Sequence, residues 1–149
     1  VRLELNRLSA AGLLQHEQQG NTVLYQANTS HPFFKELQRL VMKYMGLDNI
    51  IHLISQKLGT IELAFIHGDY AKGYDSGVMD LVLVGEIADK AYLDKLHRRA
   101  EEISGRHIRI LILNFEEYLL ESKTLALDEA IILLASAKSG VAAGDGYWL

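Results

Sequence analysis

The chain has no cysteine. A disulfide framework and a thiolate metal site are therefore excluded, and the absence fits a reducing, cytoplasmic setting. It also has no apolar stretch near the roughly 18 residues that a membrane span requires, so no membrane partner is expected. No signal-peptide layout opens it, although Val1 already lies inside a helical pattern and the natural protein is expected to extend further at the N-terminus. Internal repeats and low-complexity linkers are missing, so any domain boundary is a change of pattern and not a flexible tether. No Ser-His-Asp arrangement and no P-loop can be assembled from its residues. His97 and His107 lie on different elements without a ligand-spaced partner, which argues against zinc.

What remains is a chain of 149 residues, 49% hydrophobic and 23% charged, enough for one ordinary domain or two small ones with a real core. Charge is uneven. Residues 1–45 hold five basic groups (Arg2, Arg7, Lys35, Arg39, Lys43) against three acids (Glu4, Glu17, Glu36), a net of +2. The remainder holds 10 against 16, a net of −6. A basic first part on an acidic body points to a polyanion partner for the smaller part, or to a merely solvated surface.

VRLELNRLSAA places Val1, Leu5 and Leu8 at helical spacing, and Gly12 supplies a C-cap. LLQHEQ and TVLYQAN, around Gln19-Gly20-Asn21, read as a β-hairpin whose turn uses left-handed angles at Gly20 and Asn21. Ser30 is expected to cap the next helix, with Pro32 in its first turn. From there Phe33, Leu37, Leu40, Tyr44, Leu47, Ile51, Ile54 and Leu58 follow at alternating steps of four and three, a seam of about three and a half heptads. Gly46 interrupts it, leaving one long helix or two shorter ones. The seam serves either the chain's own core or a homodimer.

Beyond Gly59 the pattern becomes α/β. Strands are predicted at 61–67, 78–85, 106–113 and 130–136, with helices at 90–104 and 115–123. Asn114 caps the second of these helices, and a turn of helix is expected around Leu127–Glu129. The tail SGVAAGDGYWL is glycine-rich and expected to be loose. The fold class is thus α+β, divided into residues 1–45 and 46–149.

Two stretches resemble known families. VRLELNRLSAAGLLQHEQQGNTVLYQAN, with its L..AGL helix end and a hairpin closing on Tyr25 and Asn28, resembles the second half of winged helix-turn-helix regulators of the arsenic-repressor type. That resemblance implies a partial winged helix, a helix plus a β-hairpin wing, that binds duplex DNA. It implies Arg2, Asn6 and Arg7 in the major groove and Gln18, Gln19 and Asn21 near phosphates, with His16 a further wing residue.

The stretch AFIHGDYAKGYDSGVMDLVLVG is similar to the signature of the minimal nucleotidyltransferase domain of the DNA polymerase β superfamily. Gly68 stands for its glycine, Ala71 and Gly73 lie in its loop, and MDLVLVG forms its second strand. The resemblance covers residues 61–113 and implies a small mixed-sheet domain. Gly68, Asp69, Lys72 and Gly73 would face a nucleotide, and Asp80 with Asp69 would face Mg²⁺.

The chain departs from that pattern at the chemistry. Asp69 replaces the phosphate-binding serine, Val78 replaces the first metal-binding aspartate, and Arg109 falls where the third acid is usual. Mg²⁺ wants near-octahedral oxygen coordination, so one surviving carboxylate beside an apolar and a cationic neighbour is a poor cage. Three readings stay open. The first is a DNA-binding transcriptional regulator with a catalytically inactive second domain used for sensing, dimerisation or docking. The second is an active Mg²⁺-dependent nucleotidyltransferase with Asp69, Asp75 and Asp80 rebuilt into a site. The third is an antitoxin-type partner of a small helical toxin. Tyr70 and Tyr74 are candidates for stacking on a base, and His67 for donating to a ligand, against plain packing roles.

Overall fold

The computed structural model describes residues 1–141, Asp48 by its backbone alone; the remainder of the glycine-rich tail lies outside the described residues. Those residues form an α+β structure of five α-helices and two sheets, one a two-stranded antiparallel ribbon and the other four-stranded and mixed. Two compact units divide between Val41 and Met42.

In the first unit the apolar spacing becomes α1 (Arg2–Ala10). A Schellman motif ends it. Gly12 takes a φ of +76°, its N–H donates to the Ser9 carbonyl, and the Leu13 N–H donates to the Leu8 carbonyl. The chain runs straight on into β1 (Leu14–Gln19) and β2 (Thr22–Ala27), paired with Gln19 opposite Thr22. Of the two turn residues only Gly20 has a positive φ, at +62°. Asn21 therefore does not adopt the left-handed angles expected of it, as befits a type II′ turn, which needs them at its first central position alone.

The next helix starts later than Ser30 and Pro32 suggest. Asn28 Oδ1 accepts the Ser30 N–H, an Asx turn that ties Ser30 into a loop. His31 Nδ1 accepts the Phe33 N–H, and α2 then spans Phe34–Tyr44. Gly46, at a φ of +77°, breaks the apolar seam between α2 and α3 (Leu47–Lys57). The two halves of the seam differ. Phe33, Leu37, Leu40 and Tyr44 are exposed, whereas Leu47, Ile51, Ile54 and Leu58 are buried. Met42 is buried with the latter group. That is why the compact unit begins inside α2 although the sequence pattern changes at Gly46.

The larger unit continues with β3 (Gly59–His67), β4 (Val78–Ile87), α4 (Lys90–Ser104), β5 (His107–Leu113), α5 (Phe115–Glu121), a 3-10 turn (Leu127–Glu129) and β6 (Ile131–Ala135). The sheet order is β5-β4-β3-β6, with β4 and β5 parallel and the other pairs antiparallel. Asp89 accepts the Tyr92 N–H at 2.8 Å to start α4, and Gly105 closes it at a φ of +65°. Asn114 and Glu117 exchange side-chain-to-backbone bonds at the start of α5, a full capping box.

Apolar side chains cover both faces of the sheet, which is why its strands read as continuous apolar runs. On one face Ala64, Ile66, Met79, Leu81, Leu83 and Ile108 pack with α3 and α4. On the other, Leu63, Phe65, Val82, Val84 and Leu113 pack with Tyr118 of α5 and Leu125. Ile61 belongs to the first face despite its odd number, because a register shift between Ile61 and Leu63 reverses the alternation.

Candidate functional site

The end of the sheet where β3 enters the 68–77 loop gathers most of the residues singled out in the second unit. Register sets the arrangement: His67 on β3 lies opposite Asp80 on β4, and Asp80 lies beside Arg109 on β5. All three fall on the face that α5 partly covers. The loop itself is a compact turn, with the Lys72 N–H donating to the Gly68 carbonyl at 3.2 Å and the Tyr74 N–H to the Asp69 carbonyl at 2.9 Å. Gly68 has a φ of +74°, and a Cβ on it would stand 3.1 Å from Asp80 Oδ2. A glycine here thus serves the backbone and makes room for the carboxylate.

Arg109 occupies both oxygens of Asp80. Its Nε donates to Oδ1 at 2.6 Å and an Nη donates to Oδ2 at 2.8 Å, the two-point geometry that fits guanidinium to carboxylate. The carboxylate pushes the Arg109 pKa up further, with a smaller contribution from the Asp69 charge. Asp75 is engaged in the same way by Arg106, whose Nε donates to Oδ1 at 3.0 Å and whose other arm reaches Oδ2. That bond, set against a smaller opposing effect of burial, lowers the Asp75 pKa, and the Gly77 N–H adds to the lowering. The Arg106 guanidinium lies 5.3 Å from the centre of the Tyr70 ring, a cation–π distance. Burial pushes the Tyr70 phenol up, partly offset by Arg106. Lys72 Nζ pairs with Glu129 at 3.0 Å. Asp69 is exposed and acts on Arg109 and Lys72 through its charge. Gly73 lies in the same loop at a φ of +88°, Tyr74 is exposed, and Val78 leads into β4 half-buried, beside His107.

The residues present do not fit a magnesium cage. Asp80 and Asp75 each hold an arginine, Val78 supplies no oxygen, and among the described residues no group of three or more His, Asp or Glu could hold a metal ion. Arg109 was visible in the sequence as a cation where an acid is usual. Arg106 and Glu129 were not visible, because only the register and the 3-10 turn bring them to Asp75 and Lys72.

A second polar cluster, not apparent from the sequence, sits on the outer edge of β5. Glu101 Oε1 accepts the Ile108 N–H at 2.8 Å and lies 2.7 Å from His107 Nδ1. His97 Nε2, on the same face of α4, lies 2.7 Å from the Ile108 carbonyl. Glu101 is held below its ordinary pKa, chiefly by the Ile108 N–H. Two α4 side chains one turn apart thereby satisfy the outward backbone groups of one edge residue, a device against edge-to-edge pairing. The histidines thought to be unrelated meet at Glu101.

In the first unit Arg2, Asn6, Arg7, Gln18, Gln19 and Asn21 are all exposed. Arg7 pairs with Glu4 at 2.9 Å, a surface pair worth little. Asn6 Oδ1 accepts from the Tyr25 hydroxyl at 2.7 Å, which ties α1 to the hairpin, and Gln18 Nε2 donates to the Gly20 carbonyl at 3.2 Å. His16 lies against the Tyr25 ring at 5.9 Å. Among the described residues no helix is long and apolar enough to cross a membrane. No family model, curated protein or solved structure matches this chain.

Proposed function

We propose that the chain is a DNA-binding transcriptional regulator, with the first unit a partial winged helix and the second a nucleotidyltransferase-like domain that no longer performs metal-dependent transfer. One observation carries the DNA reading. α1 buries none of its side chains and turns directly into a hairpin with an exposed polar tip, so Arg2, Arg7, Gln19 and Asn21 are all exposed to solvent. Side chains of these types grip phosphates and base edges. The two-point Asp80–Arg109 contact supports the other half of the reading. Nucleotidyl transfer asks a carboxylate to hold a divalent cation against a triphosphate, and here the carboxylate already holds an internal cation. The second unit then serves sensing, docking or dimerisation, and the exposed stripe of Phe33, Leu37, Leu40 and Tyr44, the first three of which belong to the first unit, is the homodimer seam.

The test is duplex binding by the protein across a salt series from roughly 50 to 200 mM, where phosphate contacts make affinity fall steeply. The pair Arg2→Ala with Arg7→Ala is expected to weaken binding by about tenfold or more and to flatten the salt slope. Affinity indifferent to salt and to this pair would remove the DNA reading. Titration with ATP and Mg²⁺ is expected to give neither binding nor transfer, and a saturable, metal-dependent response would restore the transferase instead.

A further inference from the structure

Strand β5 is an outer strand of its sheet, so half of its backbone groups point away from β4. The His107 N–H donates to the Gly77 carbonyl, on the β4 side. Alternation along the strand then turns the backbone groups of Ile108, Ile110 and Ile112 outward. Both ends of that row are closed. The Ile108 N–H donates to Glu101, its carbonyl meets His97 Nε2, and the Asn114 N–H donates to Glu117. Between them, nothing among the described residues bonds the outward N–H and C=O groups of Ile110 and Ile112. Leu111 and Ile112 are 44% and 40% exposed, and residues 110–113 carry no charge. An open, uncharged, apolar stretch of edge is a template for another strand.

The closed ends decide which strand fits. An antiparallel second copy centred on Leu111 sets Ile110 opposite that copy's Ile112, and Ile112 opposite its Ile110. Each pair exchanges both of its backbone bonds, so every open group is used and no occupied one is needed. Leu111 then faces Leu111 of the second copy as a closely spaced, non-hydrogen-bonded pair. A centre on Arg109 would set that cation against itself and demand the occupied groups of Ile108. A centre on Leu113 would demand the Asn114 N–H, which Glu117 holds. Charge favours the same register. Arg109 bonds Asp80 through Nε and one Nη, and its other Nη has no partner among the described residues. The antiparallel direction runs that Nη toward the first turn of the second copy's α5, where Glu116 is exposed.

We infer that the β5 edge is a self-association surface, on which a second copy of this chain pairs through Ile110 and Ile112 about Leu111. The contact uses β5 and α5 alone, and so stands apart from the DNA reading and from the α2 stripe. It is small, with half-association expected on the order of 100 µM, as for transient contacts.

Sedimentation equilibrium of the full chain from roughly 10 µM to 1 mM tests it, together with NMR of a sample in which half the copies are isotope-labelled. The mass is expected to rise with concentration while amide exchange at Ile110 and Ile112 slows. A cross-peak between the Leu111 Hα atoms of different copies is expected as well. Leu111→Lys sets like charges together at the two-fold axis and is expected to weaken association by at least about tenfold, with Tm within about 1–2 °C. Glu116→Lys, outside the strand, is expected to weaken it by about threefold. Association undiminished in both variants overturns the inference, as does a mass constant across that range or a missing Leu111 cross-peak. Slow exchange at Ile110 and Ile112 at every concentration also overturns it, because another segment of the chain then covers the edge.

Discussion

At the scale of single residues the most informative contact is Arg109 on Asp80, and Gly68 is what makes room for it. The lateral row of His67, Asp80 and Arg109 depends on a backbone that turns sharply away after His67, and Gly68 supplies that turn at a φ of +74°. An alanine there meets two penalties, the left-handed strain of about 1–2 kcal/mol and a Cβ pressed to 3.1 Å from Asp80 Oδ2. Gly77 provides the comparison, since its φ is +78° but nothing lies within 4 Å of its would-be Cβ. Gly68→Ala is therefore expected to lower unfolding stability by more than Gly77→Ala in paired denaturant titrations, and to loosen the Asp80–Arg109 contact. Equal losses would mean that backbone strain is the whole effect and that Asp80 is not held by close packing.

Single elements were the most legible part of the sequence. Helix α4 matches its expected span because a capping aspartate, an apolar stripe and a terminal glycine all agree on it, and α5 follows from Asn114 in the same way. Relations between elements were not legible. Nothing in HIRILIL says that β5 runs parallel to β4, and only that register sets Arg109 beside Asp80. The Glu101 and His97 cap on Ile108 is hidden for the same reason, since it joins a helix face to a strand edge. The late start of α2 was missed because the Asx turn at Asn28 competes with the cap that Ser30 would otherwise form. The apolar seam shows the limit best: one continuous heptad pattern serves two surfaces, buried after Gly46 and exposed before it. If the exposed half is the homodimer seam, Leu40→Arg should convert a dimer to a monomer by light scattering while leaving Tm within about 1–2 °C, since an exposed side chain contributes little to the core. A mass unchanged by the substitution would move the dimer contact elsewhere or abolish it.

At the scale of the whole chain the two units differ in what holds them. Every buried residue among those described lies between Met42 and Ser139, and the first unit contributes none. A segment of 41 residues, with no cysteine to staple it, sits at the lower edge of the length at which a core alone sustains folding; chains under about 40 residues usually need a disulfide, a metal or a partner. The larger unit has apolar packing on both faces of its sheet and capped helices. A chain beginning at Met42 is therefore expected to fold alone, with a cooperative melt and dispersed amide resonances. A peptide of residues 1–41 is expected to be largely unstructured by circular dichroism, because its helix and hairpin leave Val1, Leu3, Leu8 and Leu24 exposed. The same peptide holds four basic groups against three acids, a net of +1 in a chain that is acidic as a whole, so duplex DNA, if it is the partner, should raise its helicity at low salt and release it as salt rises. A cooperative melt of the peptide without DNA would show that the hairpin and caps suffice. In that case burial would be the wrong measure of what sustains this unit.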